Sequence, residues 1–191
     1  MSLNSGKFGC FSLKTVIIYA ITITIELYVK EADKVMLEIK IPGWTDLFIE
    51  HLVLDYNGTI AMDGVPLPGV LEILSELSQS LNIHVVTADS HRSAYNYLQL
   101  EYLSMHILEE ENQCQQKKDF VAQLGASKTV AIGNGYNDYL MLKEAIIGIA
   151  VLQKEGLSCK ALANSDLVFS SITDALDCLR NPMRLLASLR R

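Results

Sequence analysis

Apolar and polar positions change period along this chain, and each change marks an element. Leu37, Ile39 and Ile41 alternate with Glu38 and Lys40, the two-residue period of a strand with one buried face. Pro42-Gly43 breaks that run. Residues 48–54 resume it, so the region predicts a hairpin whose second arm ends at Asp55. Beyond it, continuous apolar runs at 83–87, 105–108, 129–132, 147–152 and 167–169 read as buried strands. Helical stripes lie between them. Val70, Leu71, Leu74, Leu77 and Leu81 share one face with a stop at Asn82, and Phe120, Val121 and Leu124 share another within 109–124, stopped by Gly125. Further helices are expected over 91–100, 139–145, 156–163 and 172–179. Asp63-Gly64 marks a tight turn in a small β flap.

Strand and helix alternate from residue 36 onward. Parallel strands need helical crossovers that cover both faces, so the pattern predicts an α/β fold with a mostly parallel sheet. No linker composition divides residues 36–191, which read as one catalytic core domain. Residues 1–35 differ. The uncharged run at 15–25 is flanked by Lys14 and Glu26. It falls short of the roughly 20 apolar residues of a spanning helix, so no stable membrane span is expected. It is rich in β-branched residues and is followed by no small-x-small cleavage site. Extra strands or a non-native extension are the preferred readings, and a membrane or signal segment ranks last.

Composition adds limits. Half of the 191 residues are hydrophobic, enough for a sizeable core. The net charge is −6 and no basic cluster stands out, which argues against nucleic acid as a partner. The four cysteines have no metal-type spacing and read as free thiols of a reducing, cytoplasmic compartment. Cys159 and Cys178 are expected as small apolar fillers, and His84 and His106, inside apolar runs, as core histidines. Arg184, Arg190 and Arg191 read as a solvated helix end.

Three predicted strands end in polar turns: Asp55-Tyr56-Asn57-Gly58-Thr59, Thr87-Ala88-Asp89 and Gly133-Asn134-Gly135-Tyr136-Asn137-Asp138. Lys117 and Lys118 lie between the last two. In a parallel sheet such ends gather at one edge. A nucleophilic carboxylate, a hydroxyl, an ammonium and a second carboxylate would then surround one point. Phosphoryl transfer needs this set: a nucleophile, donors for the phosphoryl oxygens and positive charge. Asp55 and Asp138 with amide oxygens suit Mg²⁺. Singly, each residue reads better as a cap, a turn residue or a solvated lysine. The joint pattern favours chemistry.

The order DxNGT, TAD after an apolar strand, Lys and GNGxND resembles the haloacid dehalogenase superfamily of phosphotransferases. Within it, the motifs are most similar to the phosphorylation domain of P-type ATPases (DKTGT, TGD, Lys, GDGxND) and to the small soluble P-type ATPase-like proteins. The resemblance covers roughly residues 36–191. It implies a three-layer Rossmann-like fold with a small hairpin flap and no large cap. It implies a Mg²⁺-dependent phosphohydrolase whose nucleophile, Asp55, becomes an aspartyl phosphate. It further implies phosphate binding by Asn57, Gly58, Thr87, Ala88 and Lys117, and a metal site of Asp55, Asn57, Asn134 and Asp138. Asp89 either completes the TAD motif or caps the next helix.

Two departures from the family pattern bear on activity. Asn57 stands where many of these phosphatases carry an acid–base Asp. An amide cannot shuttle a proton, a function typically worth ~10²–10⁴-fold in rate. Asn134 stands where a metal-coordinating Asp is usual, and its amide oxygen ligates without charge. Two readings follow: a slow phosphohydrolase, or a non-catalytic or phosphoacceptor module of the same fold. The interval from Thr59 to Thr87 is too short for a nucleotide-binding domain, so ion pumping is not expected. A capless site implies a phosphorylated substrate of large size, or a partner subunit that covers the opening. A homo-oligomer is compatible with this.

Overall fold

The alternating segment becomes a hairpin, and the continuous apolar runs become a sheet. The computed structural model describes residues 36–88 and 93–190, all within the compact unit Val35–Arg191. The readings of residues 1–35 and of Asp89 fall outside the described residues. β1 (Leu37–Lys40) and β2 (Asp46–Ile49) pair antiparallel, with Ile39 opposite Leu47. β3 (His51–Leu54) follows at once. β4 (Ala61–Met62) and β5 (Val65–Pro66) form the flap around Asp63-Gly64, where Asp63 takes a φ of 52°. Then come α1 (Val70–Leu77), β6 (Asn82–Thr87), α2 (Ser93–Tyr97), β7 (Leu103–Ile107), α3 (Gln113–Leu124), β8 (Thr129–Gly133) and α4 (Tyr139–Glu144). β9 (Ile147–Val151), α5 (Cys159–Leu162), β10 (Leu167–Phe169), α6 (Ile172–Arg180) and α7 (Met183–Leu189) complete the order.

The six-stranded sheet runs β10-β9-β8-β3-β6-β7, parallel throughout. Successive strand residues face opposite sides. Leu52, Leu54, Ile83, Val85, Val130 and Ile132 therefore pack on one side with Leu74 of α1 and Leu176 of α6. Val53, Val86 and Ala131 pack on the other with Val121 of α3, Met141 of α4 and Ala161 of α5. The result is three layers, with each fully buried Leu, Ile or Val contributing about 1.5–3 kcal/mol. β3 sits inside the sheet between β6 and β8, which places Asp55 centrally on its carboxyl edge.

Several boundaries differ from the pattern, each for a visible reason. Residues 48–54 divide into two strands at Glu50. Its N–H donates to Lys128 O at 2.9 Å and its carbonyl accepts from Asn82 N at 2.8 Å, which stitches the chain into the main sheet. α1 ends at Leu77, and Asn82 opens β6 rather than stopping the helix. The helix expected from 109 starts at Gln113, because the Gln116 carboxamide bonds Glu109 N and Glu109 O and holds that stretch as a loop. The helix expected over 156–163 shrinks to α5, capped by Ser158, whose hydroxyl accepts from Lys160 N. Arg184 and Arg190 are exposed as expected of a solvated tail, while α7 also buries Leu185 and Leu189; Arg191 falls outside the described residues.

Cys178 is buried as expected, while Cys159 is exposed and fills no core space. His84 Nδ1 lies 3.4 Å from His106 Nε2 and His84 Nε2 lies 3.1 Å from His51 Nδ1, with Phe120 against both His84 and His106. Among the described residues, no helix is long and apolar enough to cross a membrane.

Candidate active site

Asp55 is placed by the sheet. Its N–H donates to Ile132 O at 3.0 Å, which extends the β3–β8 ladder by one residue before the chain turns away. The turn is tight because one carbonyl collects three donors: Thr59, Ile60 and Ala61 all donate to Tyr56 O. Gly58 supports it with a φ of 78°. Its N–H donates to Ala61 O at 2.8 Å, so this amide is engaged inside the turn rather than facing a phosphate. The role of Gly58 is steric. A Cβ there would stand 2.4 Å from Asn134 Nδ2.

Asn57 fastens the flap. Its Oδ1 accepts from Gly64 N at 3.0 Å, while the buried Tyr56 hydroxyl donates to Gly64 O at 2.8 Å. The side-chain oxygen of Asn57, a residue expected at the metal site, is thereby held by the backbone of the hairpin tip.

Lys117 reaches the edge from α3. The helix turns Lys117 and Val121 inward together. Lys118 points to the surface and pairs with Glu144 at 3.7 Å, which decides between the two adjacent lysines. Lys117 is fully buried, with Nζ 2.5 Å from Asp55 Oδ1 and 2.6 Å from Asp138 Oδ1. Burial alone would lower its pKa, but the charges of Asp138 and Asp55 outweigh burial and hold the ammonium above the ordinary lysine value.

Asp138 ends a short 3₁₀ turn after β8. Its Oδ2 accepts from Asn134 N at 3.0 Å and Gly135 N at 2.7 Å, while Oδ1 holds Lys117. Both oxygens thus have protein donors, and Asp138 stands as the anchor of Lys117. Gly133 makes room for it, since a Cβ there would lie 2.6 Å from the carboxylate. Burial, and then the charge of Asp55, push the Asp138 carboxyl up to about 6 against the opposing pull of Lys117.

Asn134 completes the group. Its Nδ2 donates to Gly156 O at 3.0 Å, which turns Oδ1 toward Thr59 Oγ1, 3.1 Å away. Thr59 Oγ1 is also 3.1 Å from Asp55 Oδ2. One hydroxyl proton serves two acceptor oxygens, so Asp55 and Asn134 present oxygen lone pairs side by side. Hard oxygen donors of this kind suit a divalent cation such as Mg²⁺. Thr87 ends β6 on the same edge and is buried, with half-buried Ala88 after it. Hydrogen bonds thus join Asp55, Thr59, Lys117, Asn134 and Asp138 at this edge, and Thr87 ends the neighbouring strand. Thr59 and Gln153 do not stand out in sequence. Thr59 closes the DxNGT motif without an assigned role, and Gln153, whose Nε2 donates to Thr59 O at 2.7 Å, carries no motif signal.

No protein-family model matches the chain. Over 63 residues it is 51% identical to an uncharacterised protein of Methanocaldococcus jannaschii, a match covering 33% of this chain and 68% of that one. The chain belongs to the family of that archaeal protein. Among solved structures it is similar to a haloacid dehalogenase superfamily hydrolase of subfamily IIIA from Legionella pneumophila. That match has a TM-score of 0.56 and 12% identity, and covers 90% of this chain and 95% of that one. It is also similar to the cobalt-bound deoxy-D-mannose-octulosonate 8-phosphate phosphatase of Haemophilus influenzae, with a TM-score of 0.55, 14% identity, and 75% and 90% covered. A phosphoserine phosphatase in apo form matches with a TM-score of 0.53, 14% identity, and 67% and 98% covered.

The chain has the haloacid dehalogenase fold. Its six-stranded parallel sheet with helices on both faces matches that fold, and a small antiparallel hairpin follows Asp55. In this haloacid dehalogenase fold, the β4–β5 hairpin is the one insertion between β3 and α1. Residues 103–124 are occupied by β7 and α3 of the core.

Proposed function

We propose that the chain is a Mg²⁺-dependent phosphohydrolase that carries the phosphoryl group on Asp55, nearest in kind to the soluble P-type ATPase-like proteins. The observation that carries this reading is the Asp55–Lys117–Asp138 cluster at the carboxyl edge of the sheet, with one buried ammonium between two carboxylates. A purely structural lysine has little reason to be buried there, because desolvating three charges is costly. A phosphoryl group arriving at Asp55 would meet positive charge already in place.

An oxygen of Asp55 attacks phosphorus, and the bond from phosphorus to the leaving oxygen breaks. Lys117 offsets the charge on the phosphoryl oxygens, and Asp138 keeps its ammonium in position. The Thr87 hydroxyl and the Ala88 amide complete the cradle. The leaving oxygen takes its proton from solvent, since Asn57 has none to give. Water then attacks the aspartyl phosphate, releasing inorganic phosphate and restoring the carboxylate. Asp55 and Asn134 would hold Mg²⁺, which supplies charge that draws in and polarises the phosphoryl oxygens. Asn57, whose Oδ1 is turned to Gly64 N, and Asp138, whose fully buried carboxylate is shared among Lys117, Asn134 N and Gly135 N, are not assigned to that ligand set. The open edge suits a large phosphorylated substrate.

Hydrolysis of an aryl phosphate, with and without Mg²⁺, tests the reading on wild type and Asp55→Asn. Mg²⁺-dependent turnover lost in the variant supports it. Equal activity in both proteins overturns it. One observation favours a second reading, a slow phosphoacceptor: the Asn57 amide is tied to the flap and offers no acid–base function. Mass spectrometry after acetyl phosphate treatment separates the two, because a long-lived adduct on Asp55 belongs to the phosphoacceptor.

A further inference from the structure

We infer that Gln153, outside every motif, is a positioning residue that sets the spacing between Asp55 and Asn134. The inference rests on the phosphohydrolase reading and names a part of its site that the sequence pattern leaves unassigned.

Gln153 opens the loop between β9 and α5. Its Nε2 donates to Thr59 O at 2.7 Å and to Gly58 O at 3.1 Å. Its Oε1 accepts from Ile172 N, the first residue of α6, at 2.9 Å. Both amide hydrogens and the amide oxygen are therefore in use. The backbone of Gln153 acts on the other half of the site. Its carbonyl accepts from Gly156 N at 2.9 Å, and Gly156 O accepts from Asn134 Nδ2 at 3.0 Å. One residue thus grips the Thr59 backbone through its side chain, and through its own carbonyl it holds Gly156, whose carbonyl accepts from the Asn134 amide. Between these grips lies Thr59 Oγ1, 3.1 Å from both Asp55 Oδ2 and Asn134 Oδ1. The distance between the nucleophile and the amide oxygen is fixed from behind, by a residue that touches neither.

The same loop reaches the flap. Glu155 Oε1 accepts from Asp63 N at 3.0 Å, at the hairpin tip that Asn57 and Tyr56 hold from the other side. The loop from Gln153 to Gly156 is accordingly a cross-tie between the turn after Asp55, the flap and Asn134, and Gln153 is its central member.

The test uses Gln153→Glu and Gln153→Met in the full chain. Glu keeps an acceptor for Ile172 N–H but loses both donors, whereas Met loses all three bonds at similar length. Aryl phosphate hydrolysis is measured against Mg²⁺ concentration, and Mg²⁺ binding alone is measured by calorimetry. Misplacement of a reacting group by about 1 Å can cost ~10²-fold, so kcat should fall by about tenfold to a hundredfold in both variants. The Mg²⁺ requirement should rise while KM for the aryl phosphate stays near wild type. Because Gln153 acts through Thr59, Gln153→Met should add less than about twofold in a Thr59→Val background, the non-additivity expected of coupled residues. Wild-type kcat and wild-type Mg²⁺ affinity in Gln153→Glu would overturn the role, as would full additivity with Thr59→Val. Should Gln153→Met not fold, Gln153→Glu decides alone. An inert wild type overturns the phosphohydrolase reading, and the calorimetric comparison still judges Gln153.

Discussion

Lys117 and Asp55 stand 62 positions apart in sequence, yet the Lys117 Nζ lies 2.5 Å from Asp55 Oδ1 with no solvent exposure of its own. The ammonium is shared with Asp138 on the far side. Two buried carboxylates and one cation leave a net negative charge. That charge makes the cluster sensitive to any change in one member.

Lys117→Met removes the cation and leaves two carboxylates facing each other. Breaking a buried pair from one side typically costs about 3–5 kcal/mol, and urea denaturation at neutral pH should show a loss of that order. The gap to wild type should close at high pH. The folded Lys117 pKa lies above its unfolded value, so its stabilising contribution is fully present below the unfolded pKa of about 10.4 and is lost as pH rises through the folded value. A gap unchanged above pH 11 would contradict the assignment.

Asp138 gives the same downward slope with rising pH, in the acid range. Its folded pKa of about 6 lies above the unfolded value of about 3.9. Between these values the folded state binds more protons than the unfolded state. The contribution of Asp138 to stability therefore falls as pH rises from about 4 to about 6. Denaturation series across that window on wild type and Asp138→Asn should differ in slope, the wild type declining more steeply with rising pH.

Asn57→Asp should increase turnover. A carboxylate can still accept from Gly64 N, so the flap contact survives the change. The new acid can protonate the leaving oxygen, a function worth ~10²–10⁴-fold where it is needed. The gain should be larger for alkyl phosphates than for aryl phosphates, whose leaving groups depend less on a proton. Steady-state kinetics on one substrate of each kind check this, and equal rates in both proteins would count against the role given to Asn57.

Asn134→Asp should not behave as a simple restoration. An oxygen replacing Nδ2 would face Gly156 O at the 3.0 Å now bridged by a hydrogen bond. Metal-free stability should fall by about 1–3 kcal/mol, the usual cost of an unsatisfied buried polar group. Added Mg²⁺ should recover part of that loss through preferential binding to the folded state. Thermal melts of the variant with and without Mg²⁺ read both effects.

Gly58→Ala joins two penalties, a φ of 78° and a Cβ 2.4 Å from Asn134 Nδ2. Activity should fall sharply, together with a lower melting temperature in differential scanning calorimetry. A variant as active and as stable as wild type would mean that the turn can rearrange away from Asn134.

Much of this protein was legible in its sequence because it is governed by local rules. Periodicity marked the strands of the sheet and its covering helices, since alternation and 3.6-residue stripes follow from strand and helix geometry. Three polar turns after apolar runs located the edge that holds Asp55, Thr87 and Asp138. Other features had no local signature. Lys117 and Lys118 are adjacent, and although the motif resemblance favours Lys117, it is the phase of α3 against the sheet that buries Lys117 and leaves Lys118 half-exposed. Glu50 interrupts an apparently continuous strand because Lys128 and Asn82 bond its backbone from two other elements. The partners of Asn57 and Asp138, Gly64 N for the one and Gly135 N and Lys117 for the other, come from turns and a helix that no local pattern pairs with them. Gln153 meets Thr59 across 94 positions of sequence. Composition and period determine which segments form strands and helices. Hydrogen-bond partners that are distant in sequence are chosen only when the sheet is assembled, because each depends on the simultaneous placement of several elements.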